Sequence, residues 1–199
     1  MNYDDKRIAG LLVFVGGVQF VLAVIISEAT YSGYSVGQQV MSDLGNWSLD
    51  GNYAAIFNVS IILLGILGIV STYFIQRAFK NRTFTILVAL ISISAVGVGV
   101  VAENVFLPVH DIFALVLWVS AALAAFMSYK FEKSPLSYVS VVLGAVIVVA
   151  VFFFSLTDVH FGLGLGGLQR MINYPILLWL IGFGAYLIGD SNDRARALK

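Results

Sequence analysis

Six stretches of this chain run almost without charged side chains, and each is about as long as a bilayer is thick. They lie at Ile8 to Ile26, Tyr53 to Ile75, Thr83 to Val101, Ile112 to Tyr129, Tyr138 to Phe154 and Met171 to Ile188. A helix rising ~1.5 Å per residue needs ~20 residues to cross ~30 Å of hydrocarbon. Apolar and polar positions do not alternate as in a membrane barrel, so helices remain the way to satisfy backbone groups in lipid. The pattern predicts an all-α polytopic membrane protein: six transmembrane helices forming one transmembrane domain over residues 1–199.

The polar segments between these runs set the orientation. Lys6, Arg7, Arg77, Lys80, Arg82, Lys130, Lys133, Arg194, Arg196 and Lys199 fall at the two ends and in the second-to-third and fourth-to-fifth connections, leaving only Arg170 of the 11 basic residues on the other side. By the positive-inside rule both termini are cytoplasmic, as expected of a multi-pass protein of the cell membrane. Ser27-Glu28-Ala29 loosely resembles a signal cleavage site, but the apolar run before it, at 19 residues, is too long for a signal peptide and reads as an uncleaved first helix.

The inner connections, Gln76 to Arg82 and Lys130 to Ser137, are short, and Ser134-Pro135 reads as an N-cap followed by proline at the first helical position. Outer connections run from Ser27 to Asn52, Ala102 to Asp111 and Ser155 to Arg170. In the first of these, Tyr34, Val36, Val40, Met41, Leu44 and Trp47 recur at near-helical spacing, which predicts a short interfacial helix capping the bundle. Asn46-Trp47-Ser48 matches a glycosylation acceptor pattern, one frequent by chance. Asp111 is placed to cap the fourth helix.

Composition narrows the chemistry. With 60% hydrophobic and 11% charged residues, any activity must be built from the membrane domain itself. Zero net charge argues against a nucleic-acid partner, and the absence of cysteine excludes disulfides, thiolate nucleophiles and Cys-ligated metals. No acid or base lies at the middle of a span, so a proton or ion path across the bilayer is not expected.

The ionisable residues that remain are concentrated on the outer side, near helix ends, where a charge is costly unless paired or facing a polar cavity. Asp50 reads as loop solvation. Glu28, Glu103, Asp158 and Arg170 are candidate ligand contacts, and His110, His160 and Asp43 are candidate acid–base groups. A histidine titrates near working pH, which suits it to proton transfer beside a carboxylate. Neither histidine sits in a metal-ligand spacing, no serine sits in a nucleophile elbow, and the glycine-rich Phe161 to Leu168 lacks a phosphate-loop lysine, so no metal or cofactor is expected. That glycine-rich stretch is either a loose loop or a compact turn allowing close backbone approach. Arg170 after it should form a salt bridge with Glu28, Glu103 or Asp43.

Ser42-Asp43-Leu44-Gly45 after the first helix, Pro108-Val109-His110 before the fourth and Gly166-Gly167-Leu168-Gln169-Arg170 before the sixth resemble the six-helix prokaryotic membrane proteins grouped as domain of unknown function 998. The resemblance implies six helices and no established activity. Asp43, His110 and Arg170 match its motif positions, while Gln169 stands where an acid is expected.

The leading expectation is an outward-facing polar pocket at the membrane interface, formed by Glu28, Asp43, Glu103, His110, Asp158, His160 and Arg170, that binds a polar or lipid head group, with acid–base hydrolysis as its catalytic version. The alternatives are a structural or accessory subunit bound to other membrane proteins and, behind it, a small-solute carrier. Membrane lipids are the expected partners in every case.

Overall fold

The computed structural model describes residues 3–48 and 52–197; Asp50 and Lys199, counted above, lie outside the described residues. Six helices account for the fold: α1 (Tyr3–Thr30), α2 (Tyr53–Phe79), α3 (Arg82–Val100), α4 (Glu103–Ser128), α5 (Leu136–Leu156) and α6 (Gly164–Ala197). A single 3-10 turn, Met41–Gly45, interrupts the α1–α2 connection, and there are no strands among the described residues. All six helices are long and apolar enough to span a membrane.

Most helices outrun their apolar segments. α6 covers 34 residues where the apolar run predicts Met171 to Ile188, because the helix starts at Gly164, before that run, and continues past it to Ala197. α4 starts at Glu103, so Asp111 lies inside the helix rather than capping it. The reason is local: Phe106 breaks the helix at φ −157° and ψ 87°, and Pro108 sits in the first turn after the break, where its missing N–H costs nothing. α5 is capped one residue later than expected, at Pro135. Between α2 and α3 the reversal takes two residues: Lys80 adopts the left-handed conformation and Asn81 accepts the Phe84 N–H at 2.9 Å.

Consecutive helices pack side by side, α6 closes against α1, and α4 also touches α6. Five helices thus form a ring, with α5 outside it against α4 and α6; only 22% of the α5 span is buried. Close packing without a hydrophobic drive favours small residues at crossings. At the α1–α6 crossing a Cβ on Gly10 would stand 2.7 Å from the Gly184 carbonyl oxygen, so neither helix tolerates a side chain there.

The start of α1 and the end of α6 lie at one face of the bundle, here the terminal face. Lys6 near the start of α1 pairs with Asp190 near the end of α6 at 2.9 Å, and Lys133 from the α4–α5 connection reaches the same carboxylate at 3.2 Å. Arg77 at the end of α2 pairs with Asp5 at 3.0 Å. Phe79, Phe84, Phe131, Trp179 and Phe183 pack together beneath them. At the opposite, distal face a second apolar cluster joins Phe20, Met41, Leu44 and Phe57.

Candidate functional site

The α1–α2 connection folds down over the distal end of the ring. Tyr31 stacks on Tyr53 with centroids 4.5 Å apart, and Gln39 bonds back to both the Ser35 N–H and the Tyr31 hydroxyl. The near-helical apolar spacing is realised as the one 3-10 turn, which points Met41 and Leu44 inward while Val36 and Trp47 stay exposed. Asn58 on α2 holds this turn by donating to the Gly45 carbonyl at 2.8 Å, and Gln169 on α6 accepts the Met41 N–H at 2.5 Å. An uncharged amide is enough for that second contact, which needs only an acceptor.

The glycine-rich stretch is the compact alternative: it opens α6. The N–H groups of Gly166 and Gly167 in the first turn donate to the Gly37 carbonyl, at 3.0 and 3.4 Å. A Cβ on Gly166 would collide with the backbone carbonyls of Gln39 and Val36, so the loop can rest on the helix only because the side chain is missing.

One turn further along α6, Arg170 fastens the arrangement. It is 3% exposed, and all of its nitrogens are engaged. Nε and Nη2 donate to Glu28 Oε1 at 3.2 and 2.6 Å, Nη2 also donates to the Tyr34 hydroxyl at 2.5 Å, and Nη1 donates to the carbonyls of Val36, Gln39 and Gly166 at 2.9, 3.0 and 3.0 Å. The expected salt bridge is therefore made, to Glu28. A planar five-donor guanidinium can join three segments at once; an ammonium could not. Burial pushes the Tyr34 phenol up to about 12 against the opposing pull of Arg170, which keeps it a neutral acceptor.

Asp43 lies on the 3-10 turn beside Glu103 at the start of α4, close enough for the two carboxyl groups to interact. Two carboxyl groups this close favour keeping one proton between them. Burial is the largest influence on Asp43 and Glu103 the next, and together they push it up to about 7. Asn104 adds neutral links nearby, accepting the Trp47 N–H at 3.2 Å and donating to the Ser48 hydroxyl at 2.8 Å.

Beneath this cover lies a cavity of about 60 Å³, walled by apolar side chains of α1, α2, α3, α4 and α6, with His110, Gln169, Asn173 and Ser42 at its edges. That is under half the ~150 Å³ of an engineered cavity that admits benzene. His110 is 4% exposed, and its Nδ1 lies 2.8 Å from the Val101 carbonyl, which closes the end of α3. A carbonyl can only accept, so Nδ1 carries the proton and donates to Val101, leaving Nε2 as the ring nitrogen not committed to α3. Trp118 donates to Asn173 at 2.9 Å, fixing α4 to α6 across the cavity wall.

The seven residues picked out in the sequence thus separate. Glu28 joins Arg170, Asp43 joins Glu103, and His110 alone of the seven lines the cavity. Asp158 is exposed and His160 half-buried on the α5–α6 connection, and among the described residues neither bonds through its side chain to the others. No group of three or more His, Asp or Glu among the described residues could hold a metal ion. Sequence reasoning missed Tyr34 as a partner of Arg170 and Trp118 as a partner of Asn173; a hydroxyl or indole N–H in an apolar run is the only signal either leaves. It also missed Glu132 at the terminal face, whose Oε1 is buried with no hydrogen-bond partner and whose carboxyl is pushed up by burial against hydrogen bonds to Ser140 and Ser128.

Helix number, length and apolarity define a multi-pass, all-helical membrane protein. The family described as Protein of unknown function (DUF998) matches residues 14–186, and the chain belongs to that family. Neither the curated proteins nor the solved structures contain a match.

Proposed function

We propose that this protein sits in the cell membrane with both termini cytoplasmic and binds an amphiphile at its distal, outward face. The polar end of the ligand, a head group or another hydrogen-bonding group, would meet His110, Gln169, Asn173 and Ser42, and its apolar part the helix walls. The observation that carries this reading is the buried His110 on the wall of a largely apolar cavity, with Nδ1 engaged by the Val101 carbonyl and Nε2 free of that contact. At about 60 Å³ the closed cavity takes water-sized groups, so a bulkier head group enters as the covering loop shifts. Arg170 serves this reading as the fastener of the cover rather than a ligand contact, since its donors are spent on protein acceptors. In the hydrolytic version His110 is the base that takes the proton of an attacking water.

The test is to purify the protein from membranes and extract what accompanies it. Ala95 lines the cavity and is 1% exposed, so Ala95→Phe fills the space from α3. The wild-type extract should hold a species at near-stoichiometric amount that Ala95→Phe lacks and His110→Ala holds weakly. Identical extracts from all three proteins would defeat the reading.

A further inference from the structure

A second recess opens elsewhere, between α4 and the outlying α5. It measures about 270 Å³ and is lined by Asp111, Ala114, Leu115, Trp118, Phe154 and Ser155. Asp111 lies within one turn of Pro108 near the distal end of α4, and Ser155 is the last residue but one of α5, so both polar groups lie toward the distal end of their helices. Trp118 meets Phe154 edge to face at 5.4 Å and forms the floor. Trp118 and Ala114 also line the central cavity, so the two spaces share a wall.

We propose that this groove binds a bilayer lipid whose head group carries a primary amine. α5 is the least enclosed helix, so most of its span is open to the surrounding lipid. Asp111 is exposed, and among the described residues no Lys, Arg or His lies within ion-pairing distance of it. A carboxylate at the edge of the hydrocarbon is costly unless hydrated or paired, and an ammonium head group offers the pairing from within the bilayer. An amine-bearing head group pairs with Asp111 and bonds to the Ser155 hydroxyl, while one acyl chain follows Leu115, Trp118 and Phe154. A choline head group matches the charge but donates no N–H, and a glycerol phosphate head group brings a like charge. The site stands whether or not the central cavity is occupied.

The experiment uses the full chain in nanodiscs of equimolar phosphatidylethanolamine, phosphatidylcholine and phosphatidylglycerol with the same acyl chains, followed by native mass spectrometry after release. Wild-type protein should retain phosphatidylethanolamine about two- to fivefold over phosphatidylcholine, the discrimination one partly solvated ion pair gives. Asp111→Asn should bring the ratio to parity without lowering total bound lipid, and Leu115→Trp, which fills the groove, should remove one bound lipid irrespective of head group. Equal retention of all three lipids by the wild type overturns the proposal, as does a preference that survives Asp111→Asn. The central-cavity reading is tested separately by Ala95→Phe, so either can fail alone.

Discussion

Replacing Arg170 by alanine should release the distal loop from α6. The substitution removes six hydrogen bonds and leaves Glu28, whose side chain is 18% exposed, without its cation. Removing one partner of a buried pair typically costs ~3–5 kcal/mol, because the surviving charge stays desolvated. The backbone carbonyls of Val36 and Gln39 lose a donor as well. Glu28 and the loop can turn toward water once freed, so the lower end, ~3 kcal/mol, is the better expectation, equal to roughly 10²-fold in the opening equilibrium. Hydrogen exchange over residues 31–48, in detergent or nanodiscs at fixed pH, reads this directly, with the amides of α2 and α3 as an internal control. Arg170→Lys should recover the Glu28 pair but not the links to three carbonyls, and should fall between the two. Wild-type protection in Arg170→Ala, or loss spread evenly over the whole bundle, would refute the idea that this side chain fastens the loop in particular.

The loop should also respond to acidity. Because Asp43 is raised to about 7 when packed beside Glu103, the closed arrangement holds its proton more tightly than the open one. Closure is therefore strongest in acid, weakens as pH rises from the ordinary aspartate range of ~4 to about 7, and is level above that. Exchange over residues 41–48, corrected for intrinsic rates, should rise across this window in the wild type; Asp43→Asn, which can donate to Glu103 at any pH, should be flat, and an unchanged slope in that variant would refute the shared proton. Gly166→Ala forces a Cβ into two backbone carbonyls that cannot yield and should cost ~1–3 kcal/mol, seen as a lower melting temperature and faster exchange at Gly37 to Val40. Wild-type behaviour there would mean the loop does not rest on α6 as described.

The membrane spans were legible because hydrocarbon imposes one requirement, a long apolar run, that no tertiary context relaxes. Helix ends were less so: Asp111 has the chemistry of a cap, but the break at Phe106 came earlier and moved the start of α4 to Glu103. Arg170 and one of its acidic partners could be read from charge alone, since a single cation among distal acids has few choices. Its other acceptors could not, because backbone carbonyls of Val36 and Gln39 leave no trace in side-chain identity. The proximity of Asp43 to Glu103 was hidden for a different reason: like charges are expected apart, and only burial makes sharing a proton the cheaper arrangement. Asp158 and His160 resembled the other distal ionisable residues in sequence, but α5 lies outside the ring and carries their loop with it.

The pair between Lys6 and Asp190 joins residues 184 apart. During synthesis at ~5–20 residues per second, α1 enters the bilayer roughly 10–40 s before its partner on α6 exists. For that interval the Lys6 ammonium has no Asp190, and the α1 face carrying Gly10 has no helix to meet. The ring can only be completed by its last segment, so a ribosome that stalls after α5 leaves an open bundle whose exposed seam is the kind of surface that membrane quality control must recognise.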